Sequence, residues 1–535
     1  MKSIEEELQS FLAVSSQFNL GNLPTELPHP QTAGLAELAI SNPSQAFNIY
    51  TQVDVQALNL FRPLIQKLEV LKRAVADTLK SGKKIFLCGC GATGRLSLQL
   101  EILWRHEMGV HPLNDRIASF MAGGDLAFIH SLESFEDETN YGALQLSMLG
   151  FMPGDLFIGI SEGGETPFVI GATRHAKQLS TRQPYFLFCN PPEILAPLAK
   201  RSQEVLEDSA IHKICLYVGP MALSGSTRLQ AATVLQLAVG LALFLPEKDF
   251  CLMADRQVEE LLQVYLGLDA RPLMEMIHEE GSIYKNLGHL NYISDDLLAG
   301  ILLTDTTERS PTFGLPNFEN FADASPLPAW CYLFIQNGDS ALKAWQIVLG
   351  RAPRALEWPE LCGRASKARM LGFHLGEEGR QSRLANLKNI HEWTFLQSEQ
   401  GVLITTSQAQ FLIPVRVDKD KASLSWDRKD EKVKSLPLLS FSLLLKMLMN
   451  RHSTLVMGGV GRYRSNIMTS VRPSNNKLVD RSIRYLDMLC QQQGLKYTYA
   501  ELARVIFTVK KEATPDSLLV EESLKKLERR ARDSN

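Results

Sequence analysis

The sequence predicts an α/β protein made of two tandem three-layer modules with parallel sheets, followed by a helical C-terminal lid. Short apolar runs alternate with helical patterns through residues 83–245, which is typical of a parallel sheet covered by helices. A fainter version of the same alternation follows residue 250. From Leu436 onward the apolar positions recur at helical spacing. The 535 residues are also too many for a single hydrophobic core.

Composition and charge limit the kinds of molecule that we expect this protein to bind. The chain is 45% apolar and 21% charged, with a formal net charge of −3, so we expect a globular protein that does not bind nucleic acid. The two longest apolar stretches, Ala231–Leu245 and Leu436–Met449, are shorter than the ~20 residues of a membrane span and predict buried helices. The scattered cysteines and the acidic N-terminus predict a cytoplasmic protein with reduced thiols and no membrane partner.

Four segments are expected along the chain: an N-terminal arm (1–48), a first module (49–250), a second module (251–435) and a helical C-terminal region (436–535). The strand-to-helix junctions of the second module lack glycine and serine and carry Asp295, Asp296 and Asp339, which would repel an anion. Its ligand loops are therefore predicted to be degenerate. The mixed charge run at 415–435 is interpreted as a solvated loop.

The first module begins with a strand, a glycine-rich turn and a helix over Ile85–Arg95. The turn contains Gly91, Ala92, Thr93 and Gly94. Unpaired backbone N–H groups and the helix dipole make such a turn an anion site, to which Thr93 would add a hydroxyl and Arg95 a positive charge. The glycine spacing matches a dinucleotide fingerprint, but the acidic residue that should follow about 20 positions later is missing. We expect no cofactor.

Two further strand-to-helix junctions carry hydroxyl groups. Ser161, Gly163 and Thr166 follow the predicted strand Leu156–Ile160. The other junction follows the predicted strand Ile214–Val218 and contains Ser224, Ser226 and Thr227. Ligands bind at the carboxyl ends of strands in open α/β sheets, and several short donors suit a phosphomonoester. Each hydroxyl could instead cap its own helix, but three such loops in one module favour phosphate.

These loops, with Glu133 and Glu136 between them, resemble the sugar isomerase (SIS) domain family. More narrowly, they resemble the branch that contains N-acetylmuramic acid 6-phosphate etherase and glucokinase regulatory protein. The arm Thr25–Thr32 and the segment Arg472–Leu478 are similar to the terminal signatures of that branch. Two modules followed by a helical region are similar to the plan of glucokinase regulatory protein.

The resemblance implies a phosphorylated hexose as ligand, similar to fructose 6-phosphate, and a sugar kinase as a partner. It also implies that Asn475 and Lys477 reach back from the C-terminal region onto the sugar phosphate. In the main interpretation, the protein binds a sugar phosphate and regulates a sugar kinase or sugar metabolism. Closure of Lys477 over phosphate held by Thr93, Ser161 and Ser226 would then change an external surface.

The alternative interpretation is a carbon–oxygen lyase that resembles the etherases and acts on an amino-sugar 6-phosphate. The resemblance implies two catalytic glutamates, of which one corresponds to Glu133 and the other to Leu103. Glu101 lies two residues before Leu103, about 200° around the helix, and should face elsewhere. Met221 and Gln230 stand where the family has Glu and Lys. These departures favour binding over catalysis, and Glu133 is catalytic only in the alternative.

A third alternative, an aldose–ketose isomerase, would need a histidine and a glutamate beside the loops. The close histidines are His106 and His130, and both are predicted on helix surfaces. This alternative is therefore disfavoured.

Overall fold

The computed structural model describes residues 3–15, 20–130, 132, 135–418, 433–471, 476–514 and 517–533. Over these ranges, the strands form two five-stranded sheets and two small two-stranded ladders. In chain order the strands are β1 (Ile85–Gly89), β2 (Ile117–Met121), β3 (Leu156–Ile160), β4 (Tyr185–Phe188), β5 (His212–Cys215), β6 (His289–Ser294), β7 (Cys331–Ile335), β8 (Ile390–Ser398), β9 (Gly401–Thr405), β10 (Gln410–Ile413), β11 (Val415–Val417), β12 (Lys434–Leu436), β13 (Tyr463–Arg464) and β14 (Ile467–Met468).

Helices cover both large sheets and form most of the C-terminal region. In chain order they are α1 (Ile4–Leu12), α2 (Leu35–Ser41), α3 (Pro43–Phe61), α4 (Glu69–Lys80), α5 (Gly91–Met108), α6 (Thr139–Met148), α7 (Pro167–Leu179), α8 (Pro192–Leu198), α9 (Lys200–Glu207), α10 (Gln230–Phe244), α11 (Phe250–Gly267), α12 (Arg271–Lys285), α13 (Asp296–Phe313), α14 (Ala341–Leu349), α15 (Lys367–Leu371), α16 (Glu377–Asn386), α17 (Leu438–Gly459), α18 (Asn476–Gln492), α19 (Tyr499–Glu512) and α20 (Leu519–Asp533). Among the described residues, no helix is both long enough and apolar enough to span a membrane.

The first sheet is wholly parallel and has the order β2-β1-β3-β4-β5. Every residue of β1, β2 and β3 is buried, which explains why these strands appear in the sequence as continuous apolar runs. The chain first moves from β1 outward to β2 and then returns to the other side of β1 as β3. This reversal creates a crevice at the carboxyl ends of β1 and β3, where ligands bind in open α/β sheets.

The second sheet is mixed and has the order β10-β9-β8-β6-β7. Its strands β8, β6 and β7 are parallel, as the sequence predicts, whereas β9 and β10 extend it in antiparallel fashion. The cause is the connection between β8 and β9, which consists only of Glu399 and Gln400. Two residues can close a hairpin but cannot make the crossover that parallel strands need.

Two buried helices join the modules. Both long apolar stretches are helical, as predicted, and α10 and α17 are buried along almost their whole length. Helix α17 packs against α10 of the first module and against α12 and α13 of the second. Helices α5 and α13 also pack against each other, where a Cβ on Gly300 would lie 2.3 Å from Gln99 Oε1. The two sheets therefore share one continuous layer of helices.

The structure describes parts of the two segments predicted as an arm and as a solvated loop. Residues 1–48 contain α1, α2 and the start of α3. Within them, the backbone N–H of Thr25 donates to Asn190 Oδ1 at 3.2 Å, which fixes the arm on the first module. In the charge run 415–435, β11 and β12 pair at the two ends, and residues 419–432 lie outside the described residues.

Candidate functional site

A cavity of about 270 Å³ lies where the three predicted loops of the first module meet. Further walls come from the segment after β2, from the arm, from α13 of the second module, and from β14 and α18 of the C-terminal region. The volume is near the lower end of the ~300–1,000 Å³ range of small-molecule sites. The residues of the predicted set that line the cavity are Gly91, Ala92, Glu136, Gly163, Thr166, Ser226 and Thr227.

The N-termini of α5 and α7 both face this cavity. Helix α5 begins at Gly91, so the N–H groups of its first turn have no partner within the helix. Thr166 is the N-cap residue of α7, but its hydroxyl does not cap the helix and instead lies 3.0 Å from Ser161 Oγ. Two helix dipoles and several backbone donors therefore favour an anion at this end of the sheet.

The predicted hydroxyl groups fall into two classes. Ser226 Oγ is buried at the cavity wall and has no hydrogen-bond partner. In contrast, Ser224 Oγ donates to the carbonyl of Glu26 at 2.9 Å, and Thr93 Oγ1 donates to the carbonyl of Cys90 at 2.9 Å. Ser161 Oγ accepts from the N–H of Gly164 at 3.1 Å. Thr93, Ser161 and Ser224 thus shape the loops from behind the wall, whereas the buried hydroxyl of Ser226 can still form a hydrogen bond with a ligand.

Arg95 does not present its charge to the cavity. Its side chain is fully buried and forms an ion pair with Glu308 of α13. The same guanidinium donates to the carbonyls of Ala127 at 2.9 Å and Phe128 at 3.0 Å. Gly94 also lies behind the wall, where a Cβ would be 2.5 Å from Met121 Cβ. The pattern around Arg95 predicts a cation in the site, but the fold uses this arginine to attach the first module to the second.

Among the described residues, two arginines line the cavity. Arg228 pairs with Asp305 at 2.8 Å, and the other is Arg481 of α18, which sequence reasoning missed. Its Nη2 lies 2.6 Å from Glu26 Oε1. Burial lowers the pKa of Arg481, but the carboxylate of Glu26 more than offsets this, and the pKa lies above its usual range. Arg481 follows Lys477 by four residues, a spacing that places both on one helix face and could have revealed it.

Three residues of the predicted set cannot be placed fully. Glu133 and Asn475 lie outside the described residues. Lys477 belongs to the first turn of α18, and its side chain is likewise outside the described part. Their roles in binding or catalysis stay predictions.

Carboxylates make up much of the remaining wall, and sequence reasoning identified only one of them. Glu136 accepts a hydrogen bond from Cys90 Sγ at 3.6 Å. The others are Glu26, Glu162, Glu165 and Glu308. Because Glu308 belongs to the second module, both modules contribute side chains to the cavity wall. Carboxylate oxygens accept hydrogen bonds, so this wall suits the hydroxyl and N–H groups of a sugar.

Leu103 stands where the resemblance implies a catalytic glutamate. The side chains of Leu103 and of three other residues relevant to catalysis have structural roles. Leu103 is fully buried in the core. Glu101 faces away from the cavity, as predicted, and lies 2.9 Å from Arg351 Nε. Met221 and Gln230 are also buried, and Gln230 donates to Asp54 Oδ1 at 2.6 Å. None of these four side chains lines the cavity.

His130 is not on a helix surface, contrary to the sequence prediction. It lies in a bend after β2 and its ring is 5.3 Å from that of Phe373. Burial lowers the pKa of His130 to about 4. His106 is exposed on α5, as predicted.

Comparisons with known proteins identify the family of this chain. The family model of the glucokinase regulatory protein N-terminal SIS domain matches residues 66–177. An N-acetylmuramic acid 6-phosphate etherase of Enterobacter sp. (strain 638) is 32% identical over 224 residues, which covers 42% of this chain and 69% of that relative. The etherase of Rippkaea orientalis is 31% identical over 221 residues, covering 41% and 67%. The chain belongs to the SIS family.

Within the family it falls in the branch that contains these etherases and glucokinase regulatory protein. This SIS chain spans about two thirds of the length of the curated relatives that it matches. Among solved structures, the C-terminal domain of glucosamine-fructose-6-phosphate aminotransferase from Francisella tularensis has a TM-score of 0.35 and 10% identity, and the match covers 76% of this chain and 96% of that one.

Proposed function

We propose that this SIS protein binds a phosphorylated amino sugar of the N-acetylmuramic acid 6-phosphate class in the cavity between the first-module loops and α18. The observation that carries the proposal is the buried, unpartnered hydroxyl of Ser226 at the meeting point of three anion-favouring loops. The chemical class of the ligand is inferred from the curated relatives, because those named above are N-acetylmuramic acid 6-phosphate etherases.

The two walls of the cavity suit the two ends of such a ligand. The phosphate would lie against the N-terminus of α5, where it accepts hydrogen bonds from Ser226, Thr227 and the backbone of Gly91. The sugar hydroxyl and amide N–H groups would donate to the carboxylate wall, with Glu136 as the acceptor nearest the glycine loop. Arg481 would supply the positive charge that the serine and threonine hydroxyls lack.

Calorimetry with a panel of sugar phosphates tests the proposal. N-acetylmuramic acid 6-phosphate should bind more tightly than glucosamine 6-phosphate and fructose 6-phosphate. Arg481→Gln should weaken binding about 10- to 100-fold, because a charge-assisted hydrogen bond contributes roughly 1.5–3 kcal/mol. Arg484→Gln is the matched control, since Arg484 lies on the same helix and pairs with Asp480 at 2.8 Å. Failure of all three sugars to bind, or equal effects of the two substitutions, would contradict the proposal.

The second candidate function is lyase activity, which the names of the relatives favour over the regulation of a kinase. Cleavage of a lactyl ether needs one group to remove a proton from carbon and another to protonate the leaving oxygen. Glu136 and Glu162 line the cavity and could act in these roles, although Leu103 occupies one expected carboxylate position. Release of lactate from N-acetylmuramic acid 6-phosphate, abolished by Glu136→Gln, would establish the lyase.

Regulation of a sugar kinase is supported by the match to the glucokinase regulatory protein model over 66–177 and by the two-module plan. A regulator would bind the sugar phosphate without releasing lactate. It would also bind a sugar kinase in a manner that depends on that ligand.

A further inference from the structure

A second cavity, of about 210 Å³, lies at the junction of the modules. Its walls come from α3, the segment between α11 and α12, the end of β10, and α17. It shares no lining residue with the sugar-phosphate cavity. The side chains that matter for its chemistry are Phe47, Thr51, Tyr265, Leu448 and Arg451.

Arg451 is the polar centre of this second cavity. Only 3% of the residue is exposed, and its guanidinium carbon lies 3.7 Å from the ring centre of Phe47 and 4.9 Å from that of Tyr265. Nη1 donates to Thr51 Oγ1, but the buried Nε has no hydrogen-bond partner. Within the described part of the chain, no carboxylate lies within ion-pair distance of this guanidinium.

The nearby acidic groups are occupied by other partners. Asp54 Oδ2 accepts from the hydroxyl of Tyr265 at 2.6 Å, and its Oδ1 accepts from Gln230. Asp269, at the rim of the cavity, pairs with Arg271 at 2.6 Å. Taking a guanidinium out of water without a partner anion is costly, and the two aromatic rings offset only part of that cost. An anion in the cavity would supply the missing partner.

We propose that the second cavity binds a small organic carboxylate with an apolar body. The carboxylate would lie on the free edge of Arg451, whose planar fork matches its geometry. The body would pack against Phe47, Leu412 and Leu448, which are apolar and line the same space. Arg451 is the one cationic side chain among the described residues that line this cavity, which favours a singly charged carboxylate over a phosphate.

Fluorine NMR with 4-fluorobenzoate tests the site on the 535-residue protein. Its resonance should broaden and shift on addition of protein, whereas that of the neutral analogue 4-fluorobenzamide should change at least tenfold less. Saturating N-acetylmuramic acid 6-phosphate should not compete, because the two cavities share no residue. An equal response from the amide, displacement by the sugar phosphate, or no response from 4-fluorobenzoate would overturn the proposal.

Two substitutions test whether 4-fluorobenzoate binds in the second cavity. Arg451→Gln should weaken 4-fluorobenzoate binding at least tenfold. Because this residue is buried and its variant could fail to fold, Gln52→Trp provides a second test: Gln52 is exposed, lines the cavity, and would fill its mouth as tryptophan. Gln56→Trp is the matched control, since Gln56 is exposed one helical turn later on α3 and does not line the cavity. Binding that survives Gln52→Trp, or that Gln56→Trp also abolishes, would overturn the proposal.

Discussion

Ser224 and Ser226 lie two residues apart in the loop after β5, but their hydroxyl groups have different surroundings. Ser224 donates to the carbonyl of Glu26 and so fastens the arm to the loop. Ser226 has no partner and lines the cavity. The sequence identifies both as small hydroxyl residues near a helix start. The direction of the Ser224 side chain, however, depends on Glu26 in the arm, which lies 198 positions earlier in the chain.

Substitution of these two serines should separate binding from stability. Ser226→Ala should weaken sugar-phosphate binding by roughly tenfold and leave the free energy of unfolding unchanged or slightly higher, because a buried unpartnered hydroxyl is removed. Ser224→Ala should lower the free energy of unfolding by about 1 kcal/mol, because the Glu26 carbonyl loses its donor. Calorimetry and urea unfolding measure the two effects. A larger stability loss in Ser226→Ala than in Ser224→Ala would contradict the assignment.

At the scale of elements, the turn between β1 and α5 determines how closely the helix approaches the sheet. A Cβ on Gly89 would lie 2.3 Å from the carbonyl carbon of Thr93 and 2.5 Å from the nitrogen of Gly94, both backbone atoms that cannot move aside. Gly91 has φ of 53° but has no atom within 4 Å of its Cβ position. The glycine pattern is visible in the sequence. The sequence does not show, however, that Gly89 is needed for close approach of the helix and Gly91 for a positive φ.

Alanine at these two glycines should therefore have unequal effects. Gly91→Ala places a side chain in the left-handed region and should cost about 1–2 kcal/mol of the free energy of unfolding. Gly89→Ala must also move α5 away from β1, so we expect a larger loss and at least tenfold weaker sugar-phosphate binding. Thermal unfolding and calorimetry of the two variants test this. A more severe effect of Gly91→Ala would contradict the close-approach argument.

At the scale of the whole molecule, buried ion pairs hold the two modules together. Glu101 of α5 and Asp125, which follows β2, both bind Arg351, which follows α14 of the second module. Burial by itself raises the pKa of Glu101, but Arg351 and Arg354 outweigh it and lower the pKa to about 2 from its ordinary value of 4.5. Glu101, the carboxylate nearest in sequence to Leu103, thus connects the two modules.

The lowered pKa of Glu101 predicts that the free energy of unfolding decreases in acid. A carboxyl group with a lowered pKa in the folded state stabilises the protein above its unfolded pKa of 4.5, and that contribution is lost as the pH falls from 4.5 towards 2. The full contribution of this carboxylate to the free energy of unfolding is about 3 kcal/mol. Urea unfolding between pH 3 and pH 7 should give a flatter pH profile for Glu101→Gln than for the wild type. The exposed Glu207→Gln variant should follow the wild type, and an unchanged profile for Glu101→Gln would contradict the assignment.

The sequence by itself determined the α/β class, the first parallel sheet, the two buried helices and the three loops that meet at the cavity. These features depend on local periodicity, on glycine and on hydroxyl residues near helix starts, and all of these are visible along the chain. Only the tertiary structure decided which side chains face the ligand space. It directed Ser226 inward, paired Arg95 with Glu308, and brought Arg481 and Glu26 together from opposite ends of the chain. The reason is physical: a buried charge is satisfied by whichever partner the packing brings near, and that partner can be hundreds of residues away.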